Sequence, residues 1–306
     1  MRVGIIGLGS IARKHITALR GLDSRVEIVA LRHSHATSPA SSEEAGITDL
    51  YSLDELLACR PDFIIISNPT AQHYDTVVAL AGSGVPLFIE KPLFADLSRP
   101  LPTIGSPTYI ACNLRFLDSL RWVKKHLAGR RVNEVNAYCG SYLPDWRPTL
   151  KNEAWRTCYS ANREMGGGVH IDLIHEIDYL YWLFGAPETV RKTFRNVSSL
   201  DISAWDYANY CFEYPTFAVS VVLNYYRRDY RRTLELVFED ATWQVDLAAN
   251  TVTDLGTGTM LFESPQRFAD TYPAQMEDFL HRLGTDSAEA FNTIDEAYDV
   301  LRICLE

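Results

Sequence analysis

Apolar and polar positions follow two different regimes along the chain, and the change falls near residue 113. Before it, short apolar runs at 2–7, 26–31, 62–67 and 85–89 are bounded by glycine or turn residues and followed by helical patterns. Runs of that length and character suit strands buried on both faces of a parallel sheet. The first helical pattern places Ile11, Ala12, His15, Ile16 and Leu19 on one side. A short acidic helix follows Ser52, a suitable N-cap, and another helix is expected from about Gln72 to Ser83. After Asn113 an amphipathic helix over 116–127 leads into strand-like runs at 134–142, 189–197, 204–214, 217–226, 233–238 and 242–247. These are rich in Val, Thr and aromatics with partial alternation, which predicts an antiparallel meander with one face on helices. Helices over 273–283 and 293–305 close the pattern. The division is therefore 1–112 and 113–306.

Composition narrows the class without changing the layout. The chain has 306 residues, 47% hydrophobic and 22% charged, as in globular proteins with room for two cores. A formal net charge of −10 argues against nucleic acid or an anionic membrane as partner. Cysteines at 59, 112, 139, 158, 211 and 304 show no metal-ligand spacing, so reduced thiols and no metal are expected. No apolar run reaches membrane-spanning length, and the first residues lack a signal-peptide layout; the chain reads as cytoplasmic.

The first candidate site is the turn after the first strand. Gly7-x-Gly9-x-x-Ala12 sits between a strand and a helix, the context in which such a pattern cradles a dinucleotide. Gly7 permits the tight turn, Gly9 lets a pyrophosphate approach the backbone, and Ala12 lets helix and strand pack closely. Ser10 and Ile11 complete the cradle at the positive end of the helix dipole. The second strand ends in Arg32-His33-Ser34, where NAD-binding chains usually place an acid for the ribose hydroxyls. An arginine and a hydroxyl can instead grip a 2′-phosphate, so NADP(H) is favoured over NAD(H). Two further strands end in Asn68-Pro69-Thr70 and Glu90-Lys91-Pro92, at the carboxyl edge where a doubly wound sheet holds its ligand.

The second candidate site lies at 166–179, where three glycines lead into a helical pattern. Asp172, His175, Glu176 and Tyr179 share one face at i, i+3, i+4, i+7 spacing, while the remaining positions are mostly apolar. Buried acids and imidazoles are costly unless they are paired or face a cavity, so the strip is a site candidate. Ahead of it, Trp146, Trp155, Arg156 and Arg163 lie in a polar loop region. Rings can stack on a sugar face there, and guanidinium groups can hold hydroxyls, a carboxylate or a phosphate. Arg156 could equally meet a cofactor phosphate.

Together these residues resemble the Gfo/Idh/MocA family of nucleotide-dependent sugar and polyol oxidoreductases. The matches are the glycine turn with His15, Asn68-Pro69-Thr70 with His73, Glu90-Lys91-Pro92, Asn113-Leu114-Arg115-Phe116, Trp155-Arg156 and the segment 166–178. The resemblance implies an N-terminal Rossmann domain, doubly wound and parallel, then an α/β domain on a large, mostly antiparallel sheet. It also implies a homodimer or homotetramer through that sheet, a carbohydrate substrate, and Lys91, Asp172 and a histidine near the nicotinamide. Arg115 and Trp146 join Arg163 as substrate-binding candidates, and Asn68, Thr70, His73 and Glu90 as cofactor-binding ones. The family spacing places the histidine four residues after the aspartate; here His175 is three after Asp172 and Glu176 is four. Imidazole exchanges a proton near neutral pH, which favours His175, with Glu176 as the other candidate. Family members that borrow and return a hydride as glycosidases or lyases, and a non-catalytic nucleotide sensor, are the alternatives.

Overall fold

The computed structural model describes residues 1–32, 46–146, 154–285 and 291–306. The chain forms two compact units, Met1–Asn113 with Tyr272–Leu301, and Leu114–Thr271 with Arg302–Glu306. Among the described residues, no helix is long and apolar enough to cross a membrane.

The first unit runs β1 (Arg2–Ile6), α1 (Ser10–Leu22), β2 (Glu27–Leu31), β3 (Ile47–Leu50), α2 (Leu53–Ala58), β4 (Phe63–Ile66), α3 (His73–Leu80), β5 (Leu87–Ile89) and β6 (Thr108–Ile110). All six strands are parallel in the order β3-β2-β1-β4-β5-β6. Ile5, Ile64, Ile65 and Phe88 are wholly buried, as the uninterrupted apolar runs require. Ser52 caps α2 as expected, its hydroxyl accepting from the Glu55 amide at 3.1 Å. The short edge strands β3 and β6 lack an apolar run long enough to stand out in sequence. Register sets the carboxyl edge. Leu31, Ile6, Ile66 and Ile89 stand in one row. The next residue on each strand is therefore Arg32, Gly7, Ser67 and Glu90.

The second unit begins with α4 (Asp118–His126) and β7 (Val132–Tyr142), then α5 (Val169–Asp172) and α6 (His175–Phe184). Strands β8 (Thr189–Arg195), β9 (Tyr207–Glu213), β10 (Ala218–Asn224), β11 (Tyr226–Phe238), β12 (Thr242–Asp246), β13 (Thr251–Asp254) and β14 (Thr259–Glu263) complete it. The eight strands lie in the order β14-β13-β12-β11-β7-β10-β9-β8. The sheet is not a plain antiparallel meander, because β7 and β10 pair in parallel while their neighbours are antiparallel. Phe212, Val219, Val135, Leu236 and Trp243 form one register row across five strands, and all are buried. Period-two alternation thus gives one packed face, with α5 and α6 against β7, β9 and β10.

The chain ends with α7 (Thr271–Gly284) and α8 (Ile294–Leu305). Most of this stretch returns to the first unit, which a division by sequence position at 112/113 does not register. Phe279 of α7 packs edge-on against Phe63 and Phe88, with ring centroids 4.9 and 5.1 Å apart. The backbone amide of Ile110 donates to the Asn292 carbonyl at 2.7 Å.

Candidate active site

In the first unit the glycine turn is shaped for close approach. Gly7 has φ of +93°, and a Cβ there would stand 2.3 Å from the Asn68 amide nitrogen. Gly9 caps α1, and a Cβ on it would meet nothing within 4 Å. The space above this helix terminus is open, and the first turn of α1 carries no acid to repel a phosphate. Ser10 and Ile11 open the helix, and Ala12 is wholly buried where helix meets sheet. These residues fit a dinucleotide pyrophosphate.

Next along the edge, His73 is buried and fastens two loops. Its Nε2 lies 2.9 Å from the Asn68 carbonyl, and its Nδ1 lies 3.1 Å from the carbonyls of Pro92 and Leu93. Burial lowers the imidazole pKa. The Asn68 side-chain amide donates to Thr76 Oγ1 at 2.9 Å, fixing the turn that holds Thr70. Glu90 at the end of β5 accepts from His15 Nε2 at 2.5 Å and from the Lys91 amide at 3.2 Å. His15 is wholly buried, edge-on to Phe88 and Tyr272. The Lys91–Pro92 peptide is cis. Lys91 is thus anchored through its backbone at the edge of the same sheet as Gly7 and Asn68. At the far side of this edge Arg32 pairs with Asp49 at 3.7 Å. His33 and Ser34 lie outside the described residues.

In the second unit the expected continuous helix is broken. α5 ends at Asp172, Leu173 leaves helical geometry at φ −97°, ψ 31°, and α6 begins at His175. The break sorts the polar strip. Asp172 and His175 are half-buried, whereas Glu176 and Tyr179 are wholly buried. Asp172 accepts a hydrogen bond from the Tyr225 hydroxyl. Burial, with this carboxylate beside it, holds the Tyr225 phenol well above its usual range, so it donates as a neutral hydroxyl. Glu176 instead receives both Nε and Nη2 of Arg232, at 2.6 and 3.0 Å.

Arg232 stands two and four residues before Leu234 and Leu236, on the packed face of β11. A cation at that position requires a partner, and Glu176 is that partner. The alternation of β11 carried this signal, though nothing in the sequence named the partner. Tyr225 had no such signal. The substrate-binding candidate Arg115 is likewise buried, its Nε and Nη2 on Asp178 at 3.1 and 2.7 Å. Both arginine–carboxylate pairs hold the fold.

The other aromatic and arginine candidates have local partners. Trp146 Nε1 donates to Ser141 Oγ at 3.1 Å, and its ring meets Tyr225 edge-on at 5.3 Å. Arg156 stacks over Trp155 at 4.8 Å and donates to the carbonyls of Leu200 and Asp201. Arg163 lies 3.7 Å over the Trp205 ring. Two glycines make the loop possible. A Cβ on Gly167 would fall 1.9 Å from the Tyr159 carbonyl oxygen, and Gly168 has φ of +149° with the His170 ring 2.7 Å from any Cβ.

Residues 1–99 match the family model described as the oxidoreductase family, NAD-binding Rossmann fold, and residues 120–244 match that of the GFO/IDH/MocA C-terminal domain. The chain belongs to the Gfo/Idh/MocA family. It is similar to the rhizopine catabolism protein MocA of Rhizobium meliloti, 27% identical over 61% of this chain and 58% of that protein. The match thus spans little more than half of MocA's length. Inositol 2-dehydrogenase of Cereibacter sphaeroides is 25% identical over 92% of this chain and 85% of its own. Among solved structures, UDP-N-acetylglucosamine 3-dehydrogenase GnnA from Acidithiobacillus ferrooxidans superposes with a TM-score of 0.75 at 19% identity, covering 99% of this chain and 95% of that one. The Gfo/Idh/MocA oxidoreductases bind NAD on the Rossmann fold seen here in the first unit.

Proposed function

We propose that this chain is a dehydrogenase or reductase acting on a CH–OH carbon of a small carbohydrate: a sugar, acidic sugar, cyclitol or nucleotide-sugar. The observation that carries the reading is the carboxyl edge of the parallel sheet. There Glu90, held by buried His15, fixes Lys91 in register with the Gly7–Gly9 turn. Ligands of doubly wound sheets sit at that edge. The relationship to inositol 2-dehydrogenase supports a polyol or sugar as substrate.

Bound nicotinamide would supply the hydride acceptor or donor. Gly7, Gly9, Ser10, Ile11 and Ala12 would hold its pyrophosphate, with Asn68, Thr70 and His73 shaping the neighbouring wall. Lys91 would hydrogen-bond the substrate oxygen and stabilise its developing negative charge. His175 would take or return the hydroxyl proton, and Asp172, oriented by Tyr225, would align the group. Glu176 is excluded from proton transfer in this scheme because both its oxygens are on Arg232 in a wholly buried pair. NADP(H) is the proposed cofactor, since Arg32, rather than an acid, follows β2. Asp49 beside it makes the preference modest. A homodimer or homotetramer through the outer face of the eight-stranded sheet completes the proposal.

The test is turnover on a panel of sugars, cyclitols and nucleotide-sugars with each cofactor, for wild type and Lys91→Met. The variant is expected to lose about 10²–10³-fold in kcat with nucleotide affinity kept. Unchanged turnover would remove Lys91 from the chemistry. Product formed with no net cofactor change would assign the chain to hydride-borrowing chemistry instead.

A further inference from the structure

β11 loses register with β7 beside the candidate site. Tyr226 pairs with Tyr142 and Arg231 with Gly140, so residues 227–230 face the single residue Ser141. Three extra residues bulge from the sheet, the kind of irregularity that re-aims side chains near a site. The bulge delivers Arg228 and Tyr230 to a cavity of about 340 Å³, whose other walls include Tyr142, Asp145, Trp146 and Leu173. That volume is within the range of small-molecule sites, roughly 300–1,000 Å³. The cavity adjoins the Asp172 side: Leu173 follows Asp172 in the chain, and Trp146 meets edge-on the Tyr225 ring whose hydroxyl Asp172 holds.

We infer that this cavity reads an anionic substituent of the substrate, a carboxylate or phosphate carried on a ring with a flat apolar face, and that Arg228 grips the charge. The inference rests on the carbohydrate reading above. Its chemistry comes from how the arginines of this strand are matched. Arg227 pairs with Asp229 and Arg232 with Glu176, while Arg231 lies 5.8 Å over the Tyr138 ring and does not line the cavity. Among the described residues Arg228 forms no ion pair. It donates to the Tyr142 hydroxyl at 2.9 Å and lies 4.2 Å over that ring. Held at the ring and its hydroxyl, the exposed guanidinium keeps its remaining N–H donors for a carboxylate or phosphate. Trp146 and Tyr230 are partly exposed, the amphipathic surfaces on which a sugar ring stacks. Asp145 lines the same cavity, where its carboxylate can accept from ring hydroxyls.

The test measures binding to the full chain by tryptophan fluorescence. D-glucuronate and D-glucose 6-phosphate are each compared with D-glucose as the neutral parent, in wild type, Arg228→Gln, Arg228→Lys and Trp146→Phe. Wild type is expected to bind at least one of the acids about 10- to 100-fold more tightly than the parent, the range of one charge-assisted pair. Which acid shows the preference separates carboxylate from phosphate recognition. Arg228→Gln should abolish the preference while keeping glucose affinity and the melting temperature, Arg228→Lys should keep part of it, and Trp146→Phe should remove most of the quench. Equal affinities for acids and parent in wild type, or a preference that survives Arg228→Gln, overturns the inference. Lys91→Met separates the two readings. Acid preference kept with turnover lost supports both, whereas preference kept with turnover unchanged leaves the subsite standing and removes Lys91 from the chemistry.

Discussion

His175 and Glu176 are neighbours in sequence with opposite circumstances. The first is half-buried at the start of a helix, and the second is sealed against Arg232. Their substitution should therefore separate activity from stability. His175→Asn is expected to lower kcat about 10²–10⁴-fold with little change in melting temperature. Glu176→Ala is expected to cost about 3–5 kcal/mol in denaturant unfolding, because it leaves the Arg232 charge buried without its partner. A proton-transfer role for Glu176 would show as a kcat loss in a variant that still melts normally. At the adenosine end, Arg32→Ala should raise KM for NADP(H) more than for NAD(H). Asp49→Asn should shift the ratio the other way, by removing a negative charge 3.7 Å from the guanidinium. Equal effects on both cofactors would end the NADP(H) proposal. At this scale the sequence marks single residues as candidates but not their partners. Lys91, Asp172 and the glycines stand out by spacing. Tyr225 and Arg232, 53 and 56 residues from their partners, are joined only by the sheet.

Among the elements, the decisive feature is the break at Leu173–Ile174. A helical wheel drawn through 169–180 presumes one axis, and that presumption merged Asp172 with Glu176. The two short helices can pack differently, so the two carboxylates meet different partners. The glycine loop ahead of them admits no side chain at its centre. Gly167→Ala is expected to destabilise the protein by at least about 1–3 kcal/mol, read as a drop in melting temperature, because its Cβ would meet backbone rather than a movable side chain. A neutral result would mean that the loop at 159–168 shifts readily. Strand pattern was legible where alternation ran for several residues. It failed at β3, β6, β13 and β14, short strands outside every expected run, and at the 227–230 bulge, where three added residues disrupt period two.

For the molecule as a whole, acid sensitivity follows from buried imidazoles. Burial, with Lys192 and Arg163 nearby, pushes His170 down to about 4, and burial also lowers His73. Between an unfolded value near 6.5 and these folded values, the unfolded chain binds more protons than the native one. Stability is therefore full above about pH 6.5 and lost as pH falls, with His170 contributing on the order of 3 kcal/mol by pH 4. Denaturant unfolding at pH 7.5 and 4.5 should show this loss in wild type and a smaller one in His170→Gln. Identical pH slopes would show that the imidazole protonates without penalty.

The return of Tyr272–Leu301 to the first unit gives biosynthesis a particular schedule. The strands of the nucleotide-binding sheet precede residues 114–271, whereas Phe279, which covers Phe63 and Phe88, and Asn292, which accepts from the last strand, follow them. At bacterial to eukaryotic elongation rates the early strands wait roughly 10–40 s for these residues. Throughout that interval an apolar sheet face stands uncovered on the ribosome. A nascent chain arrested before residue 271 should therefore be protease-sensitive over residues 1–113 and a client for holding chaperones, whereas the chain released from the ribosome should be neither.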